Sequence, residues 1–333
     1  MGFFSICAFL AATVVAVTYL GSISDGNPTI SIRLKPSTRT ASDSGAAPQA
    51  TSFLAPRTVS GQLVADPELI EDSFEGPLPK TAANGRTPMA AYAMPIDRSD
   101  KRPKIAVVIG GLGIGAATTD LALKTLPPQV TLAFAPYGPE LQSGADRARG
   151  LGHEVLLQVP MEPFDFPNSD PGPHALLVNA ATEENIRRLN WAMSRFTGYV
   201  GLSNLLGARF LGEAGAIEPV LVEASRRGIL FFDTGASTRS LTGMAARHAN
   251  ATIATGTLTL DDVQSTAAID NKLVQLEAQA KTDGFAIGVG SLYPVTVNRV
   301  ALWAESAGGR GFLIVPISAL AAKPDSAASA SAR

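Results

Sequence analysis

The strongest constraint in this 333-residue chain is an alternation, from about Pro103 to Leu320, of short apolar runs with amphipathic helical stretches. Eight runs, at 105–109, 130–135, 154–159, 199–202, 229–233, 251–255, 285–289 and 312–315, are largely continuous in their hydrophobicity. Strands without polar alternation are buried on both faces, as in parallel sheets. One helical pattern begins at Thr182 and continues through Leu189 and Trp191 to Gly198. A second has Pro219 in its first turn and ends at Gly228, and a third spans about Asp262 to Gly284 with Ile269, Leu273 and Leu276 on one face. Repeated strand–helix units of this number predict the α/β class, as a (β/α) barrel or a doubly wound sheet.

The flanks read differently. Residues 2–24 carry no charge and are long enough to cross a bilayer as a helix, which predicts a transmembrane signal anchor over 1–24, with a cleaved signal peptide as the rival. Residues 25–103, rich in Ser, Ala, Pro, Thr and Gly, predict a disordered linker; 104–320 form the folded domain and 321–333 a disordered tail. Arg33, Lys35 and Arg39 follow the apolar segment and nothing basic precedes it, so the positive-inside rule alone would leave the body in the cytoplasm. With 27 basic against 29 acidic residues, the chain lacks the clustered positive charge that nucleic-acid binding requires. The single cysteine, Cys7, lies in the apolar segment, so no thiol nucleophile and no Cys-held metal is expected in the body. Imidazole chemistry rests on His153, His174 and His248.

Gly110-Gly111-Leu112-Gly113-Ile114-Gly115 follows a strand and opens a helix, as a dinucleotide fingerprint would. The next strand ends in Ala135-Pro136 rather than an acid for a ribose hydroxyl, so the cluster reads as a tight strand-to-helix turn. Phe232-Asp233-Thr234-Gly235-Ala236-Ser237 matches the letters of an aspartic protease loop, but that chemistry needs a second carboxylate loop and the chain has none. Asp233 instead ends a parallel strand, where (β/α) folds place their sites, or caps the helix that follows. Gly152 to Pro163 leads into a polar loop over 164–174, where Glu162, Asp165, Asp170 and His174 are cleft candidates and His153 reads as structural. Glu162 with Asp233 would supply a glycosidase-like carboxylate pair.

Four ordered segments, Ile105-Ala-Val-Val-Ile-Gly-Gly-Leu-Gly, Gly152-His-Glu-Val-Leu-Leu-Gln-Val-Pro-Met-Glu-Pro, Phe231-Phe-Asp233 and Ala286-Ile-Gly-Val-Gly-Ser-Leu-Tyr-Pro-Val-Thr296, resemble the divergent polysaccharide deacetylase family over about 104–320. The resemblance implies an irregular (β/α) barrel of the NodB-like type, usually exported and associated with carbohydrate metabolism. In the wider family a metal held by one Asp and two His polarises the acetyl carbonyl and activates water, with an Asp as base and a His as acid. Here Gly110 and Gly111 stand at the position of an Asp pair, and Gln158 at that of a His. Leu205 stands at a second His, Gly256-Thr257 at an Arg-Asp pair, and Ser291 at the His of a Gly-His-Pro block. Glu162, Asn204, Asp233, Asp261 and Tyr293 remain.

The resemblance therefore implies recognition of a cell-envelope glycan without the hydrolytic metal or any other cofactor. Asp233 and Glu162 are the candidate catalytic residues, and Asn204, His174, Tyr293 and Asp261 the candidate substrate-binding ones. One alternative is an active hydrolase whose rearranged site, around Glu162, His174 and Asp233, holds a divalent metal; another is a non-catalytic envelope scaffold. The expected location is the inner membrane, anchored through residues 2–24, with a periplasmic body.

Overall fold

All eight apolar runs become strands, and every pairing between them is parallel. In the computed structural model the described residues are 65–324, together with the backbone of two short strands, β1 (Thr58–Val59) and β2 (Gln62–Leu63). An antiparallel hairpin, β3 (Ile70–Ser73) and β4 (Gly76–Pro79), and helix α1 (Pro88–Tyr92) precede the main sheet. The alternating body then comprises β5 (Lys104–Leu112), α2 (Ala116–Thr125), β6 (Thr131–Phe134), α3 (Leu141–Gly150), β7 (Val155–Met161), α4 (Thr182–Met193) and β8 (Gly201–Leu206). It continues through α5 (Ala214–Arg227), β9 (Leu230–Asp233), α6 (Thr242–Ala249), β10 (Ile253–Thr255), β11 (Leu258–Thr259), α7 (Thr266–Asp283), β12 (Phe285–Ser291), α8 (Pro294–Ala307) and β13 (Leu313–Ile314).

The strand order is β10-β9-β8-β7-β6-β5-β12-β11, with β13 added beside β5. The result is a curled parallel half-barrel. It curls far enough that one short segment, 253–259, bonds to both edges: β10 pairs with β9 and β11 with β12. At the crossing, Gly256 N donates to Asp233 O at 2.8 Å and Thr257 N to Ile287 O at 2.8 Å. A Cβ on Gly256 would lie 2.4 Å from Thr234 O, so only glycine passes through.

Two packed layers follow from this curl. Outward side chains such as Ile105, Val107, Ile109, Leu132, Leu157, Val159 and Phe231 join the helices in one cluster. Inward ones, among them Ala106, Val108, Ala133, Leu156, Leu230, Phe232 and Ile287, form a second. Three inward alanines (Ala106, Ala133 and Ala254) leave room for Phe232, so the interior is filled rather than hollow. The end at which the strands begin is closed by Met89, Tyr92 and Ile96 from one flank and by Val315, Ile317 and Leu320 from the other.

Several expectations change. Composition predicts a disordered linker over 25–103, yet from Ala65 onward this stretch is built into the body. Leu69 and Leu78 are buried, and Arg227 reaches from α5 to Glu71 Oε1 and Pro79 O, each at 2.7 Å. Its few apolar residues are too widely spaced to show periodicity and are fixed by long-range packing instead. The first residues of the predicted 321–333 tail are likewise fixed, because Ala322 exchanges backbone hydrogen bonds with Ile253; 325–333 lie outside the described residues. Pro219 lies inside α5, which starts at Ala214; Ile217, Val220 and Leu221 anchor that first half without a side-chain cap. The anchor predicted over 1–24 lies outside the described residues. Among the described residues no helix is long and apolar enough to cross a membrane.

Candidate functional site

Parallel strands all end on one side of a sheet, and the loops that follow them shape a mouth. Alternation carries the inward face from Val108 to Gly110, from Leu156 to Gln158, and from Ile287 to Ser291; Gly110 is in register with Ser291, and Gln158 with Ser203. The innermost polar positions at this mouth are therefore neutral. Gln158 is buried, and its Oε1 accepts from Gly111 N at 2.8 Å. A Cβ on Gly110 would stand 2.8 Å from Gln158 Nε2. The glutamine amide thus fills the volume that a side chain at 110 would need.

Each retained polar residue ties a strand end to a loop. Buried Glu162 accepts from Val178 N at 2.7 Å and pairs with Arg209, which fastens both ends of the 162–181 excursion to the β8–α5 turn. Asn204 Oδ1 accepts from Thr234 N at 2.9 Å, while its Nδ2 donates to Thr234 Oγ1 and to Leu206 O. That grip holds Leu206 at φ 58°, a left-handed conformation that leucine seldom adopts. Asp233 is buried, accepting from Gly235 N at 2.9 Å and Ser240 Oγ at 2.6 Å. Asp261 Oδ2 accepts from Ser291 N at 2.7 Å and Thr296 Oγ1 at 2.9 Å; burial raises its carboxyl above the usual carboxylate range, the hydrogen bonds opposing it.

His174 is stacked on Trp191 at 3.6 Å, and burial, followed by the charges of Arg187 and Arg188, holds its imidazole below the ordinary value. Tyr293 stands at the N-terminus of α8 and is 39% exposed. Sequence reasoning passed over Phe164, which is 57% exposed directly after the Pro-Met-Glu-Pro stretch, with the Arg239 guanidinium 5.9 Å from its ring centroid. A large aromatic opening a long loop after a strand end is the signal that could have found it.

The donor set does not fit a hydrolytic metal. Among the described residues no three His, Cys, Asp or Glu side chains gather where they could hold an ion. Glu162, His174 and Asp233 are each turned to the internal partners described above.

Residues 107–321 match the family described as divergent polysaccharide deacetylase. This chain belongs to that family. Among solved structures, the uncharacterized protein ATU2773 from Agrobacterium tumefaciens C58 is 42% identical with a TM-score of 0.72, covering 74% of this chain and 99% of that chain. The uncharacterized protein YibQ of Escherichia coli K12 is 24% identical over 195 residues, 59% of this chain. This chain spans 60% of that relative's length. An uncharacterized Haemophilus influenzae protein is 22% identical over 194 residues, 58% of this chain and 68% of its own.

Proposed function

We propose that this member of the divergent polysaccharide deacetylase family recognises a cell-envelope polysaccharide at the face where the parallel strands end, without metal-assisted hydrolysis. The observation that carries the reading is Gln158 seated beside Gly110 in a floor completed by Ser203 and Ser291. Neutral amides and hydroxyls match sugar hydroxyls but supply neither a strong nucleophile nor a metal ligand set. Phe164 and Tyr293 would offer apolar ring faces to the C–H faces of sugar rings, while Asn204, Glu162, Asp233 and Asp261 keep the surrounding loops in place. On this reading residues 2–24 hold the protein at the inner membrane with its body in the periplasm. Protease accessibility in spheroplasts tests that placement, and protection of the body would refute it.

Calorimetric titration with soluble cell-wall glycan fragments tests the binding. Saturable binding by the wild type, weakened by Phe164→Ala and Tyr293→Ala on the order of tenfold each, is expected, about 1.4 kcal/mol per contact. Absence of saturable binding, or affinity unchanged in both variants, would overturn the reading.

A further inference from the structure

We infer that Glu154 is a pH-operated latch, whose buried carboxyl clasps the segments before and after the barrel, at Met94 and Ser318, to the closed end of the sheet. Glu154 immediately precedes β7 and is 1% exposed. Its Oε1 accepts from Met94 N at 2.8 Å and from Ser318 Oγ, and its Oε2 accepts from Ser318 N at 3.1 Å. One side chain therefore joins two flanks that are far apart in the sequence. It also links them to the sheet, because Glu154 O accepts from Leu132 N in β6.

The groups around the clasp are accounted for. On the N-terminal flank Tyr92 lies under the Arg149 guanidinium of α3, 4.7 Å away, and its hydroxyl accepts from Asp66 N. From the start of β6, Thr131 Oγ1 accepts from Ile317 N at 3.0 Å. The His153 ring is 2.8 Å from Val130 O. Among the described residues no cation forms an ion pair with the Glu154 carboxyl. Burial raises it above its ordinary value, opposed only by the hydrogen bonds of Ser318 and Met94.

The direction of the response follows. A clasped carboxyl that binds its proton more tightly than a released, hydrated one favours the clasped state at low pH. As pH rises from the ordinary carboxylate value to the raised one, the clasped state loses that advantage and the flanks loosen. Release would uncover the apolar contacts of Met89, Tyr92, Ile96, Ile317 and Leu320 with the interior cluster.

Hydrogen–deuterium exchange on the full chain between pH 5 and 8, corrected for the intrinsic rate, reads the clasp directly. Peptides covering 90–96 and 316–322 should lose protection by up to about tenfold for each unit by which the carboxyl is raised, while peptides from β5 do not change. Glu154→Gln should make the flanks insensitive to pH. Ser318→Ala, which removes a bond that favours the ionised form, should move the transition to higher pH. Wild-type flanks that are flat with pH, or a Glu154→Gln protein that keeps the wild-type dependence, overturn the latch. If Glu154→Gln does not fold, the Ser318→Ala transition decides, and an unmoved midpoint refutes it.

Discussion

Gly110→Ala should destabilise the protein by about 1–3 kcal/mol, with nearly all of that cost passing through Gln158. Gly110 does not occupy the left-handed region, so its backbone accepts alanine without strain. The penalty arises because the new Cβ would stand 2.8 Å from Gln158 Nε2, too close for any real contact. Gln158 relieves the clash by withdrawing, which breaks its 2.8 Å bond from Gly111 N and leaves a half-buried donor without its acceptor, at a cost towards the lower end of about 1–3 kcal/mol. These are alternative descriptions of one event, so they do not add. Gln158→Ala alone should cost about as much, and Gly110→Ala in that background should cost almost nothing. Urea denaturation of the four proteins measures this cycle, and a loss of 1 kcal/mol lowers Tm on the order of 2–4 °C in a chain of this size. Costs that add to within about 0.5 kcal/mol would show that the two residues do not share this volume.

Asp233→Ala should lose about 2–4 kcal/mol, since Gly235 N and Ser240 Oγ both lose a buried acceptor; Asp233→Asn, keeping one acceptor, should lose roughly half. Denaturant midpoints check the order, and an alanine variant of wild-type stability would refute this bracing role for Asp233. Burial holds the His153 imidazole below its ordinary value, so the unfolded chain takes up the extra proton first. Stability from this group is complete above about pH 6.5 and is lost as pH falls towards the depressed value. His153→Gln should remove that acid-side loss; denaturation curves of wild type and variant that stay parallel between pH 7 and 5 would contradict it.

The sheet is legible because parallel strands buried on both faces are apolar along most of their length, and the runs from 105–109 to 312–315 are largely so, with polar residues such as Thr131, Gln158 and Asp233 as the interruptions. Segment 253–259 was less legible. Only its first half, Ile253–Thr255, falls in an apolar run, and Leu258–Thr259 becomes a strand because the curl of the sheet brings β12 to it. Hairpin β3–β4 was hidden for a similar reason: its fixed position depends on Arg227, far away in sequence. At the mouth, the positions of Glu162, Asn204, Asp233 and Asp261 at strand ends could be read from the sequence. What their side chains grip could not, since Val178, Thr234, Ser240 and Thr296 become neighbours only once the loops have closed.

The segment that meets both edges of the sheet also bears on how the chain reaches its native state. During synthesis β10 can join β9 at once, but β11 has no partner until Phe285–Ser291 has emerged and settled beside β5. Closure therefore comes late and joins regions of high sequence separation, the kind of topology that folds slowly. Until then the nascent sheet carries two unpaired flanks able to template association, the hazard that chaperones manage. Afterwards the same stretch occupies both flanks at once, so a cut at Gly256 would reopen two edges in a single event.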